Sequence, residues 1–156
     1  MDARMELAEF SRTVEGVTTA MRALTKAVSD SGLELGLVEL IKIRASQRNG
    51  CAFCTQFHLN AARQLDVSET KLGLVAVWRD AGVFTTREKV ALAWTEALTA
   101  LTPAGVGDEV YAEATEEFGV TELAFLTAAI AGINAWNRIA MAYRFTPPIP
   151  QDHANE

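Results

Sequence analysis

What most limits the folds open to this chain is its apolar periodicity. Between one turn signal and the next, apolar residues recur at steps of three and four, and almost no stretch alternates with period two. That pattern predicts an all-α fold of about six to seven helices. A first helix is expected over residues 5–29, with Met5, Leu7, Ala8, Val14, Val17, Met21, Leu24 and Val28 on its apolar stripe. The second runs over 34–47, where Leu37, Leu40, Ile41 and Arg44 make an apolar face with a charged edge. Asn49-Gly50 breaks it, and Asn49 is expected to cap a third helix that reaches about Leu65. Ser68 is placed to cap a helix ending near Trp78, and Thr85-Thr86-Arg87-Glu88 has capping-box spacing for another ending near Leu101. A short helix follows over 108–118, and Thr121 is read as the cap of a long one over 122–143. Pro147, Pro148 and Pro150 rule out more helix, so residues 147–156, with His153 among them, are expected to form a loose tail after a single domain over 1–146.

Inside this frame, both cysteines of the chain and one of its two histidines fall within residues 51–58. On a helix, Cys51 and Cys54 are neighbours and so are Cys54 and His58, whereas Cys51 and His58 are about 10.5 Å apart. Direct contact with the imidazole is therefore expected of Cys54. Thiolate is favoured at a helix N-terminus, which helps Cys51, and beside a histidine, which helps Cys54. One thiol can attack an oxidant while the other resolves the sulfenic acid as a disulfide. The same residues admit two other readings. Both cysteines could simply be small core side chains, or Cys51, Cys54, His58 and Glu39 could ligate zinc. A thioredoxin fold is excluded, because the segment before Asn49 reads as helix and no βαβ pattern occurs.

Composition narrows the partners. Twenty acidic against fourteen basic residues give a net charge of −6 with no basic stripe, so nucleic acid and anionic membranes are not expected partners. No apolar run is long enough to span a membrane, and the charged N-terminus offers no signal peptide. A cytoplasmic location is expected, and in that reducing compartment a Cys-x-x-Cys pair suggests catalysis or metal binding over a structural staple.

Glu39, then Cys51, Cys54 and His58, resembles the Glu…Cys-x-x-Cys-x-x-x-His pattern of the AhpD-like alkylhydroperoxidases within the carboxymuconolactone decarboxylase superfamily. Residues 38–51, 92–99 and 133–138 look like further family segments, and only the first thirty residues and the tail fall outside. The resemblance implies an all-helical homotrimer or homohexamer whose dithiol reduces hydroperoxides, with no bound metal, flavin or nicotinamide. It implies Cys54 as the attacking thiol, Cys51 as the resolving one and Glu39 with His58 as a proton relay. An external dithiol, of a lipoyl type or thioredoxin type, would reset the pair. Without the resemblance, Glu39 reads as an ordinary solvated carboxylate. Phe53 stands where the best-studied branch has a second histidine, which implies a shorter relay and modest turnover. The branch that decarboxylates muconolactone lacks the cysteine pair, so that activity is not carried over. Two alternatives stay open: a metal-binding or structural oligomer without turnover, and a lyase acting on a small carboxylated ring through His58 and Glu39. Trp78, Trp94 and Trp136 read as packing residues, and Asn134, Asn137 and Arg138 as a buried polar network, a subunit contact or a pocket wall.

Overall fold

Punctuation in the sequence becomes helix ends in a computed structural model, which describes residues 2–150. The described residues form α1 (Leu7–Thr13), α2 (Glu15–Ser29), α3 (Leu35–Asn49), α4 (Ala52–Gln64), α5 (Glu69–Leu74), α6 (Thr86–Thr99), α7 (Asp108–Glu117) and α8 (Val120–Tyr143). A 3₁₀ turn, Val75–Val77, extends α5, and there is no strand among the described residues. All-α is therefore right, with eight α-helices where six to seven are expected. None of them is long and apolar enough to cross a membrane.

Two start signals work as read. The Ser68 hydroxyl accepts from the Lys71 amide at 3.3 Å, and Thr85 and Glu88 close a reciprocal capping box at the start of α6. The start of α8 differs from expectation. Thr121 lies inside the helix, and the cap comes from the Glu122 carboxylate, which accepts from the Gly119 amide at 3.1 Å.

Residues 5–29 do not form one helix. Val14, at φ −129° and ψ 55°, separates α1 from α2. The physical reason is Phe10, which the expected apolar stripe omits. It is the buried residue of α1, packed against Tyr143 at 5.4 Å and Phe145 at 5.9 Å between ring centroids. Turning the chain at Val14 brings that ring under the end of α8 while α2 keeps its own face.

The expected amphipathic α3 is instead the hub of the fold. It buries Leu37, Val38, Glu39, Leu40, Ile41, Ile43, Ala45 and Ser46, which point in every direction around its axis, and it packs on α4, α6 and α8. Helices that are enclosed this way lose a single apolar face. Leu40, Ile41 and Ile43 are almost fully buried, each worth about 1.5–3 kcal/mol of burial.

α2 has a different role. It buries only Thr18 and Val28 and lies along α8, approaching so closely at Gly132 that a Cβ there would sit 3.2 Å from a Leu24 methyl. Trp78 and Trp94 are core residues, as read; Trp136 is half-buried. The start of the proline-rich segment is held in place: Phe145 is buried, and the Pro148 carbonyl accepts from Asn60 Nδ2 at 2.9 Å. The rest of that tail, including His153, lies outside the described residues.

Candidate functional site

The turn between α3 and α4 places the cysteines. Gly50 closes α3 in the left-handed region, φ 73°, where glycine carries no Cβ penalty. The Gly50 amide donates to Gln47 O at 3.2 Å and the Cys51 amide to Ser46 O at 2.9 Å, so Cys51 completes the end of one helix. Cys51 also begins the next. Its own sulfur, in place of the Asn49 side chain, is the N-cap of α4, accepting from the Cys54 amide at 3.2 Å. The two cysteines are joined as a disulfide with Cα atoms 5.4 Å apart, and each is only 2% exposed.

Asn49 turns inward instead of capping. Its Nδ2 donates to Asn134 Oδ1 at 2.9 Å and to Asn137 Oδ1 at 2.7 Å. Asn137 Nδ2 then donates to Ser46 Oγ at 3.0 Å, and Asn134 Nδ2 to Thr99 Oγ1 at 3.0 Å. Arg138 adds a bond to the Asn134 carbonyl at 2.7 Å. These polar residues of α8 therefore form a buried network that ties α8 to the last turn of α3, immediately beneath the cysteine turn.

Glu39 on α3 and His58 on α4 meet across the helix pair. His58 Nδ1 lies 2.6 Å from Glu39 Oε2, and Lys42 Nζ donates to Glu39 Oε1 at 2.9 Å. Burial by itself would raise the Glu39 pKa. The hydrogen bond and positive charge of His58, with Lys42 behind them, outweigh it and hold the carboxyl below its ordinary range. A carboxylate accepts, so His58 donates from Nδ1, and Nε2 is the ring nitrogen left free of Glu39. The contact expected between His58 and Cys54 is not a hydrogen bond in the disulfide state; the imidazole is bonded to Glu39.

What unites these side chains is a pocket of 640 Å³ whose walls include Glu39, Cys54 and His58, together with Phe53, Phe57 and Trp136. Cys51 is buried but does not line it. Phe53 packs edge-on against Phe145 at 5.3 Å and beside Phe57 at 6.0 Å, so where a second histidine would stand there is an aromatic wall. Trp136 belongs to this wall as well as to packing. The expectation also missed α2, which supplies much of the opposite side of the pocket; its polar face reads locally as solvated surface.

A second buried carboxylate serves the scaffold. Glu96 on α6 accepts from Arg44 Nε at 2.6 Å and Trp78 Nε1 at 3.0 Å and pairs with Arg79. Burial opposes ionisation there too, and these three donors overcome it and lower its pKa. Among the described residues no group of three or more histidine, cysteine, aspartate and glutamate side chains is placed to hold a metal ion.

Known proteins share both this frame and its sequence. A crystal structure from Agrobacterium tumefaciens, of a protein of unknown function provisionally assigned to AhpD-type antioxidant defence, is 35% identical with a TM-score of 0.89, covering 96% of this chain and all of that one. The debrominase Bmp8 shares the fold at 20% identity and a TM-score of 0.78, over 86% of this chain and 73% of its own. The uncharacterized protein YdfG of Bacillus subtilis is 34% identical over 122 residues, 78% of this chain and 83% of that protein. The sequence profile of the carboxymuconolactone decarboxylase family matches residues 15–97, which begins upstream of the family-like segment at 38–51 and takes in all of α2. With an AhpD-like helical frame around a Cys-x-x-Cys turn, the chain belongs to the carboxymuconolactone decarboxylase family.

Proposed function

We propose that the protein is an enzyme that reduces hydroperoxides with its own dithiol. The observation that carries this reading is that Cys54, His58 and Glu39 line one pocket, while Cys51 is within disulfide reach of Cys54 and outside that pocket. A hydroperoxide entering there meets Cys54 first. As a thiolate, Cys54 attacks the terminal peroxide oxygen; an S–O bond forms, the O–O bond breaks, and the alkoxide leaves with a proton relayed through His58. Glu39 accepts from His58 Nδ1 and so fixes the orientation of the imidazole. The Cys51 thiol then displaces water from the Cys54 sulfenic acid, closing the disulfide, and an external dithiol takes up the oxidation and restores both thiols. A trimer or hexamer belongs to the same proposal, and sedimentation at several concentrations tests it.

The direct test is intact mass and free-thiol count of reduced protein before and after one equivalent of an organic hydroperoxide. Loss of both thiols with a mass decrease of two hydrogens supports the scheme. Cys54→Ser should abolish peroxide consumption, and Cys51→Ser should leave a sulfenic acid that a dimedone-type probe captures. Undiminished turnover in both variants would refute it.

A further inference from the structure

The pocket beside Cys54 is too long and too apolar for a small peroxide alone. α2 lines it from Thr18 to Ser29 and α8 from Ala128 to Ala140, so each helix contributes a wall of about 16–18 Å. Leu24 and Val28 on α2 and Ile133 on α8 are among the apolar side chains of these walls, and Phe53 and Phe57 on α4 and Trp136 on α8 line the pocket with Cys54. A pocket of this size and lining suits an elongated hydrocarbon.

Charge supplies the second half of the argument. The chain carries six more acidic than basic residues, yet Arg22, Lys26 and Lys42 line this pocket against Glu39 alone. Lys42 is paired with Glu39 and Lys26 with Asp30, while Arg22 has no ion-pair or hydrogen-bond partner among the described residues. An exposed guanidinium that lines an apolar pocket is a ready bidentate partner for a carboxylate.

We propose that the pocket takes hydroperoxides of the fatty-acid class: an apolar chain laid between α2 and α8, its carboxylate on Arg22 and its peroxide at Cys54. This deepens the hydroperoxide reading and rests on it for the chemistry, but not for the binding. The two are separated by measuring each.

Binding is read with the oxidised full-length protein, titrating dodecanoate and methyl dodecanoate by calorimetry. The acid should bind about tenfold more tightly than the ester, and Arg22→Ala should bring the two to parity. Arg22→Lys should retain part of the preference and Arg22→Glu should invert it, which separates charge recognition from a fold defect. Turnover is read as kcat/KM for a fatty-acid hydroperoxide against its methyl ester, with the same change in ratio expected. Equal affinity of acid and ester for the unaltered protein would overturn the proposal. So would failure of either to bind in a protein that sediments as an oligomer, which would give the groove to a second copy of the chain. Arg22-dependent binding of dodecanoate without consumption of any hydroperoxide would support the pocket assignment and overturn the peroxidase reading.

Discussion

Replacing Asn137 with alanine cuts the network beneath the cysteine turn at a fully enclosed member, which is 0% exposed. Two hydrogen bonds go: the one accepted from Asn49 at 2.7 Å and the one donated to Ser46 at 3.0 Å, together about 2 kcal/mol net. Neither partner is orphaned. Asn49 keeps Asn134 as an acceptor at 2.9 Å, and Ser46 still donates to the Lys42 carbonyl at 2.7 Å, so the larger penalty for an unsatisfied buried group does not apply in full. The vacated carboxamide leaves a small void worth about 1 kcal/mol more. The sum is about 3 kcal/mol, or a melting temperature lower by about 6–12 °C for a chain of this length. Urea unfolding of the disulfide form at fixed protein concentration measures it, with the slope m as the control. A loss below about 1 kcal/mol at unchanged m would refute the claim that this network holds α8 to the cysteine turn. Asn137→Asp sharpens the result: it keeps the acceptor facing Asn49 but buries a charge, so its destabilisation should shrink on acidification.

Gly50→Ala meets no neighbouring atom within 4 Å, so its cost should be conformational alone, about 1–2 kcal/mol in the same assay; a neutral outcome would mean the turn relaxes. Glu39 and Glu96 both have pKa values lowered in the folded state, so the folded protein binds fewer protons than the unfolded chain across that window. Their contribution is complete above the ordinary value of 4.5 and is lost as pH falls below it; Glu39→Gln should make the acid limb of a stability profile shallower, and an unaltered limb would count against the Glu39–His58 pair. Phe53→His should raise the rate of peroxide consumption if a second imidazole is what the relay lacks, and a slower rate would assign Phe53 to holding the substrate.

Helix type could be read from the sequence because its evidence is local. The capping residues Ser68 and Thr85 bond within three residues of themselves, and short-range rules suffice for them. Asn49 shows the limit. A lone Asn before Gly reads as a cap, and nothing nearby reveals acceptors on Asn134 and Asn137, more than eighty residues away. Phe10 is invisible to local rules for the same reason, since its partners are Tyr143 and Phe145. Cys51, Cys54 and His58 stood out by spacing. Glu39 emerged only through the family pattern, because a glutamate three residues from a lysine on a helix looks like a surface pair until a histidine nineteen residues on closes over it. The pocket itself is illegible in the sequence, as its walls come from five helices, α1, α2, α3, α4 and α8.

The sulfur that caps α4 is also the one that closes the disulfide. Oxidation and reduction therefore act on the first turn of a helix as well as on a pair of atoms. Reduction changes the acceptor that the Cys54 amide meets at the head of the helix from a disulfide sulfur to a thiol sulfur, and oxidation reverses it. The Cys54 amide proton is thus a built-in reporter. Its nitrogen-15 chemical shift and its exchange with deuterium should follow the redox state of the pair, while amides in the second half of α4 stay constant, giving a readout of disulfide opening and closing one residue at a time.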